Sequence, residues 1–135
     1  MLSLWFLLEH LSFFMLRVAP AAGSFPRPLS PAEEQEALRQ KARQTLPPLV
    51  HFWARQMGVT PTGVKITAAR SRFGSCSGKN SLCFSLYLME YPEEAAEAVV
   101  VHELAHIRHK NHGPDFYALV RGTLPDYDAR IKLLK

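Results

Sequence analysis

One stretch of the sequence combines residue types that bind a metal with one that moves protons. His102 and His106 lie four residues apart with Glu103 between them, which is the HExxH pattern. Residues spaced by four share one face of a helix, so both imidazoles can reach one cation. In this pattern the histidines hold zinc and the carboxylate acts on a water molecule bound to the metal. The stretch therefore predicts a catalytic Zn²⁺ site with Glu103 as the general base.

Catalytic zinc takes three protein ligands and leaves a fourth position open, so a third ligand must come from elsewhere. On an unbroken helix His109 would lie about 10 Å along the axis from His102, too far for one tetrahedral ion. His112 is better placed, because Asn111 before it and Gly113-Pro114 after it end helices and let the chain turn back. We predict His112 as the third ligand, with a later residue as the alternative and His109 at the surface or behind the ligands.

Hydrophobic periodicity predicts helices on either side of a small sheet. A Pro-Pro pair at 47–48 should break or kink the first helical run, and the helix that begins near Pro92 should carry the metal histidines at its far end. The predicted fold class is α+β, with a small antiparallel sheet packed by helices and the HExxH helix laid across it. The predicted elements are helices over 31–46, 49–57, 92–106, 114–123 and 126–135 and strands over 64–68 and 82–89.

The two cysteines flank a turn. A two-residue hairpin turn at Lys79-Asn80 would set Cys76 and Cys83 opposite each other, so a disulfide or a metal pair is conceivable. Without CxxC spacing or a clear export signal, reduced thiols are the preferred interpretation.

Charge is distributed unevenly along the chain. The formal net charge is +4, and no Asp or Glu occurs from Ala37 to Met89. Such a basic stretch, residues 37–89, could bind an anionic partner such as nucleic acid. The preferred interpretation is a solvated face balanced by the acidic run that follows. The basic residues of the stretch are Arg39, Lys41, Arg43, Arg55, Lys65, Arg70, Arg72 and Lys79.

Length and composition fit one domain of modest size, since the chain has 135 residues and 47% of them are hydrophobic. We assign residues 1–29 to an apolar N-terminal segment and linker, and residues 30–135 to the domain. The apolar residues 1–18 lack the basic start of a signal peptide, and Glu9 would lie within a membrane span. We therefore expect a cytoplasmic protein without stable membrane association. Membrane anchoring or export through residues 1–18 is the alternative.

Four motifs in order make the chain resemble the YgjP-like zinc metallopeptidases, which are relatives of the SprT-like proteins. The resemblance covers about residues 29–135 and implies a minimal zincin fold, zinc bound by His102, His106 and His112, and Glu103 as the catalytic acid and base. The motifs are Arg70-Ser71-Arg72-Phe73-Gly74-Ser75-Cys76-Ser77, Val99-Val100-Val101-His102-Glu103-Leu104-Ala105-His106, Asn111-His112 and Leu124-Pro125-Asp126-Tyr127.

The predicted function is therefore that of a zinc metallopeptidase that hydrolyses a polypeptide substrate through a metal-bound water. Arg72, Ser75 and Tyr117 are candidates for contacting the substrate or its oxyanion, and the sequence does not choose between them. The strand 82–89 could pair with an extended peptide. Two alternatives remain open: a DNA-associated SprT-like protease that uses the basic stretch, and a catalytically silent zinc-binding homologue.

Overall fold

The computed structural model describes residues 26–135, and every structural statement below concerns this part of the chain. The chain divides into two units, of which the first ends at Ser30 and the second is Pro31–Lys135. Of the first unit, residues 26–30 are exposed and have no regular secondary structure. The apolar segment 1–18 lies outside the described residues, so its interpretation, like the domain boundary at residue 29, stays a prediction.

The first described helix, α1, runs without a break from Pro31 to Met57. The predicted break at Pro47-Pro48 is therefore wrong. A proline removes the hydrogen bond to the carbonyl four residues earlier, but both prolines lie on the exposed side, where water can reach those carbonyls. The opposite side of the helix packs in the core and holds it together across the prolines. Its buried residues are Ala42, Leu46, Leu49, Val50, Ala54 and Met57.

The sheet has three strands, β1 (Gly63–Thr67), β2 (Gly74–Cys76) and β3 (Ser81–Ser85), in the order β1-β3-β2. The two predicted strands, β1 and β3, are parallel, so the predicted antiparallel sheet is wrong for this pair; β2, which was not predicted as a strand, is antiparallel to β3. The sheet is therefore mixed, because the chain reverses once before β2 and once after it. β3 lies between the other two strands, so the prediction that this segment offers a free edge to a peptide is wrong.

β3 is shorter than the predicted strand 82–89, because a 3-10 helix, Leu86–Glu90, follows it directly. The Ser85 hydroxyl accepts a hydrogen bond from the Tyr87 amide at 3.2 Å and donates one to the Ala69 carbonyl at 2.6 Å. These bonds end the strand and start the 3-10 turn. Leu86 and Leu88 are nonetheless buried, which explains why the sequence alternates like a strand.

Cys76 and Cys83 are not opposite each other, so this prediction is wrong by one residue. In the β2–β3 register Cys76 pairs with Leu82, and Ser75 pairs with Cys83. Neighbouring positions along a strand point to opposite faces, which separates the two thiols. Both cysteines are free, in agreement with the preferred interpretation.

The central helix, α2 (Glu93–Ala105), begins with the predicted acidic turn of Glu93 and Glu94. It contacts α1, β2 and the two helices that follow, α3 (Pro114–Thr123) and α4 (Tyr127–Ile131). A short 3-10 helix, Lys132–Leu134, completes the chain. The α+β class is confirmed, with α2 at the centre of the core. None of the helices in the described range is long and apolar enough to cross a membrane.

Candidate metal and catalytic site

Three imidazoles converge beside the end of α2. The Nε2 atom of His112 lies 3.0 Å from Nε2 of His106 and 3.2 Å from Nε2 of His102. One ligand atom from each ring lies within 4.8 Å of the others, so the three could hold one metal ion. The structure thus brings together the three histidines that the sequence singled out.

His112 reaches the other two histidines because the helix ends at Ala105, within one residue of the predicted end. α2 stops at Ala105, and the amides of Ile107 and His109 close a final turn on the carbonyls of Leu104 and Ala105. His106 immediately follows the helix, and the loop then runs to Pro114, where α3 begins. His109 is consequently not part of the helical stripe, and it contributes its backbone instead.

A hydrogen bond fixes the tautomer of His106. Its Nδ1 donates to the carbonyl of His109 at 2.9 Å, and a carbonyl can only accept. In the neutral ring Nε2 therefore carries a lone pair directed at the other two histidines. The Nδ1 of His102 lies 2.7 Å from the hydroxyl oxygen of Tyr127, so that imidazole also has a partner on the side away from the cluster.

The spacing of the Nε2 atoms suits a small divalent metal. Zinc–nitrogen bonds of about 2.0–2.1 Å at tetrahedral angles place two ligand nitrogens roughly 3.3 Å apart. The observed separations are 3.0 and 3.2 Å. Three imidazoles and one open position also form a ligand set of known catalytic zinc sites. The residues present therefore fit the metal that the sequence pattern predicts.

Phe116, on α3, packs against all three histidines. Its ring is fully buried, and its centroid lies 4.8 Å from that of His102, 4.5 Å from His106 and 5.0 Å from His112. An aromatic ring in this position restricts the rotation of each imidazole by packing. The ring also closes one side of the cluster to water.

Burial lowers the pKa values of two histidines in the cluster. For His102 the pKa falls to about 4, first because of desolvation and then because of the neighbouring His106 and His112. Desolvation likewise lowers the pKa of His106, partly opposed by its hydrogen bond to His109. Both rings are therefore neutral at physiological pH, which is the form that binds a metal.

Glu103 is a buried carboxylic acid, only 6% exposed. Its Oε1 lies 3.8 Å from Nε2 of His102, while Oε2 has no hydrogen-bond partner within residues 26–135. Desolvation raises the pKa of Glu103 to about 7, although the charge of Arg72 acts in the opposite direction. A carboxyl group of this kind beside three imidazoles can exchange a proton near neutral pH.

Glu103 is held from one side by β2. A Cβ atom at Gly74 would lie 3.0 Å from Cγ of Glu103, 3.1 Å from Cγ1 of Val99 and 3.2 Å from Cδ1 of Phe84. Only a residue without a side chain allows the strand and the helix to approach this closely. Gly74 therefore determines how near β2 comes to the Glu103 carboxyl.

The three candidates for substrate contact differ in position. Arg72 is exposed, and its charge acts on Glu103. The ring of Tyr117 lies 6.4 Å from that of His112, centroid to centroid. Ser75 neighbours Gly74 in β2, so by strand alternation its side chain points away from the face that touches Glu103. An interaction with Glu103 or His112 is thus found for Arg72 and Tyr117, whereas the Ser75 side chain is directed to the other face of β2.

Several residues of the site were given no role from the sequence. They are Phe116, which packs against the imidazoles, Gly74, which lies against Glu103, the His109 carbonyl, which accepts from His106, and the Tyr127 hydroxyl, which contacts His102. Gly74 and Tyr127 belong to motifs behind the family resemblance, which is the only signal that could have found them. Phe116 and the His109 carbonyl depend on contacts between elements and have no local pattern.

The basic stretch 37–89 is partly engaged in local contacts. Arg39 pairs with Glu36 at 3.6 Å, Lys41 donates to the Met89 carbonyl at 3.4 Å, and the Arg70 guanidinium lies 3.8 Å from the centre of the Tyr87 ring. No observation among the described residues adds to the case for nucleic acid. That partner, and the expected cytoplasmic location, therefore stay predictions.

A small α+β domain with an HExxH helix at its centre defines a zincin-like metallopeptidase domain. The sequence model of the family described as "YgjP-like, metallopeptidase domain" matches residues 29–135, and the chain belongs to this family. The resemblance noted from the motifs is thus confirmed. Membership assigns the protein to the peptidases, hydrolases that act on polypeptides.

Two solved structures share the fold. The metallopeptidase zymogen abylysin of Pyrococcus abyssi is 20% identical, with a TM-score of 0.54, and the match covers 64% of this chain and 93% of that one. The zymogen jannalysin of Methanocaldococcus jannaschii is 22% identical, with a TM-score of 0.52 and coverage of 62% and 90%. At these identities the similarity establishes the fold alone. No curated protein sequence matches the chain.

Proposed function

We propose that the protein is a zinc-dependent metallopeptidase in which His102, His106 and His112 bind the metal and Glu103 is the general base. The convergence of three Nε2 atoms within 4.8 Å, next to a buried carboxyl group, carries this proposal. A cluster with no catalytic purpose would not need a carboxylic acid in the same desolvated place.

Zinc, when bound, lowers the pKa of water towards neutrality and polarises the scissile carbonyl. The three histidines supply neutral imidazoles for it, and their hydrogen bonds and packing keep them in position. Glu103 accepts the proton of the attacking water and returns it to the leaving amine. Its Oε2 atom is free for this purpose among the described residues.

The oxyanion that develops in the reaction needs a positive or hydrogen-bonding partner. Arg72 and Tyr117 are the better candidates, since one acts electrostatically on Glu103 and the other lies beside His112. Ser75 is the weaker candidate because its side chain points to the other face of β2.

The substrate strand has a natural place along β2. This strand is at the edge of the described sheet, and Gly74 brings it directly against Glu103. An extended polypeptide that paired with the outer edge of β2 would pass in front of the carboxyl group and the metal ligands. β2 thus takes the role that the sequence suggested for β3.

The test combines metal content with hydrolysis of an unfolded polypeptide such as casein. Wild-type protein should bind one zinc per chain and cleave the substrate. Glu103→Gln should retain zinc and lose about 10²–10⁴-fold in rate. His112→Ala should lose zinc, whereas His109→Ala, the matched control, should retain it. Unchanged hydrolysis by Glu103→Gln would exclude the proposed mechanism, and a wild-type protein that cannot be loaded with zinc would exclude the site.

A further inference from the structure

The Tyr127 hydroxyl contacts a predicted metal ligand from the side opposite the metal. Tyr127, the first residue of α4, is 5% exposed, and its oxygen lies 2.7 Å from Nδ1 of His102. The two rings are nearly parallel, with an interplanar angle of 18°. This is the geometry of a group that orients a ligand without touching the metal.

The direction of the hydrogen bond between His102 and Tyr127 follows from the proposed role of His102 as a metal ligand. A neutral imidazole has one nitrogen with a proton and one with a lone pair. If Nε2 of His102 binds the metal, Nδ1 carries the proton and donates it to the Tyr127 oxygen. Without that acceptor, the proton could move to Nε2, and the ring could rotate away from the cluster.

We propose that Tyr127 is a positioning residue that holds His102 in the tautomer and orientation that bind the metal. This inference rests on the proposed function, because it assumes that His102 is a ligand. It adds a contribution from α4 to histidines that come from α2 and the loop after it.

Ion pairs around Arg130 hold the start of α4 in place. The guanidinium donates to Asp126 at 2.9 Å, and to Glu97 and the Glu94 carbonyl on α2, both at 3.3 Å. These contacts join the residue before Tyr127 to the helix that carries His102. The hydroxyl is therefore set at a fixed distance from the imidazole and does not depend on a mobile C-terminal segment.

The test is zinc affinity of Tyr127→Phe, measured by competition with a chromophoric chelator. The substitution keeps the buried ring and removes only the oxygen. We expect the Kd for zinc to rise about 10–100-fold, the usual effect of losing a group that supports a ligand. Tyr87→Phe is the matched control: it also removes a hydroxyl that accepts a hydrogen bond, here from Gln35 at 3.1 Å, but away from the histidines. Its Kd should stay within about threefold of the wild-type value.

A second measurement needs no variant and decides the question if Tyr127→Phe does not fold. In a ¹H–¹⁵N spectrum of the zinc-free wild-type protein at neutral pH, His102 should show a proton on Nδ1 and none on Nε2, because the Tyr127 oxygen and not the metal then selects the tautomer. A His102 ring protonated on Nε2 would overturn the proposal.

The outcomes separate this inference from the proposed function. If wild-type protein binds zinc, His112→Ala does not, and Tyr127→Phe binds like wild type, the role of Tyr127 is excluded while the metal site stands. If wild-type protein binds no zinc, both fall. If only Tyr127→Phe among the two tyrosine variants weakens binding, both are supported.

Discussion

At the scale of single residues, the carboxyl of Glu103 combines burial with the absence of a partner for Oε2 among the described residues. Desolvation raises its pKa from 4.5 to about 7. A carboxylate buried in this way lowers the free energy of unfolding, and this loss of stability should be measurable in the metal-free protein.

The Glu103→Gln variant tests this loss of stability. Between pH 4.5 and about 7 the folded state binds more protons at Glu103 than the unfolded state, because its folded pKa is the higher one. The free energy of unfolding of wild type therefore falls as the pH rises through this window. In metal-free protein, Glu103→Gln should be more stable than wild type by about 3 kcal/mol at pH 8 and nearly equal to it at pH 4.5.

Urea unfolding in the presence of EDTA at the two pH values measures the difference. Glu90→Gln is the control, since Glu90 is exposed and its substitution should have little effect at either pH. If Glu103→Gln is no more stable than wild type at pH 8, this result would contradict the raised pKa of Glu103.

Gly74 offers a second test at this scale. A methyl group there would lie 3.0–3.2 Å from atoms of Glu103, Val99 and Phe84, so Gly74→Ala should destabilise the protein by about 1–3 kcal/mol. Urea unfolding measures the loss. Gly78→Ala is the matched control, because a Cβ at that position meets nothing within 4 Å. Equal stability of the two variants would show that β2 does not pack closely on the carboxyl.

At the scale of elements, the loop between α2 and α3 presents His112 and is fastened to two distant parts of the fold. Arg108 donates to the Gly58 carbonyl at 3.2 Å, at the end of α1. The Lys110 ammonium donates to Asn80 Oδ1 at 2.6 Å and to the Ser77 carbonyl at 3.2 Å, in the β2–β3 turn. These contacts explain how a loop can hold a metal ligand in place.

Lys110→Met should loosen this loop. Because the contacts are exposed, we expect a loss of about 1 kcal/mol in zinc binding, or roughly a fivefold higher Kd. Hydrogen exchange of the amides from 107 to 112 should become faster in the same variant. Lys79→Met is the control, because Lys79 is likewise an exposed lysine and lies in the β2–β3 turn that Lys110 contacts. A zinc Kd equal in both variants would argue against this role of Lys110.

At the scale of the whole molecule, the predicted metal site joins the end of α2 to the segment before α3. Zinc that binds only the folded state stabilises it by mass action, by about 4 kcal/mol when free zinc is roughly 1,000 times Kd. Thermal unfolding should therefore shift upwards with zinc and back with EDTA.

His112→Ala should abolish this shift, whereas His109→Ala should keep it, since His109 acts in the structure through its carbonyl. A shift that persists in His112→Ala would mean that His112 is not a ligand and that another residue completes the site.

How far the sequence determined this protein depends on how local each feature is. The helix that carries His102 and Glu103 and is capped by His106 follows from an apolar run and from the spacing of four residues, which the geometry of a helix converts into a shared face. His112 as the third histidine of the cluster was also predicted from local signals, the residues that end a helix before Pro114. The α+β class was predicted from hydrophobic periodicity alone, because that periodicity is also a local property of the sequence.

Tertiary structure decided what depends on residues far apart in the chain. Burial of one side of α1 overrode the helix-breaking tendency of Pro47 and Pro48, and the chain reversal around β2 made the sheet mixed. The Tyr127 contact to His102 joins residues 25 apart. Spacing along the sequence determines which side chains share a helix or strand. The packing of helices and strands determines which side chains contact the histidines on the side away from the cluster, because such contacts leave no local pattern in the sequence.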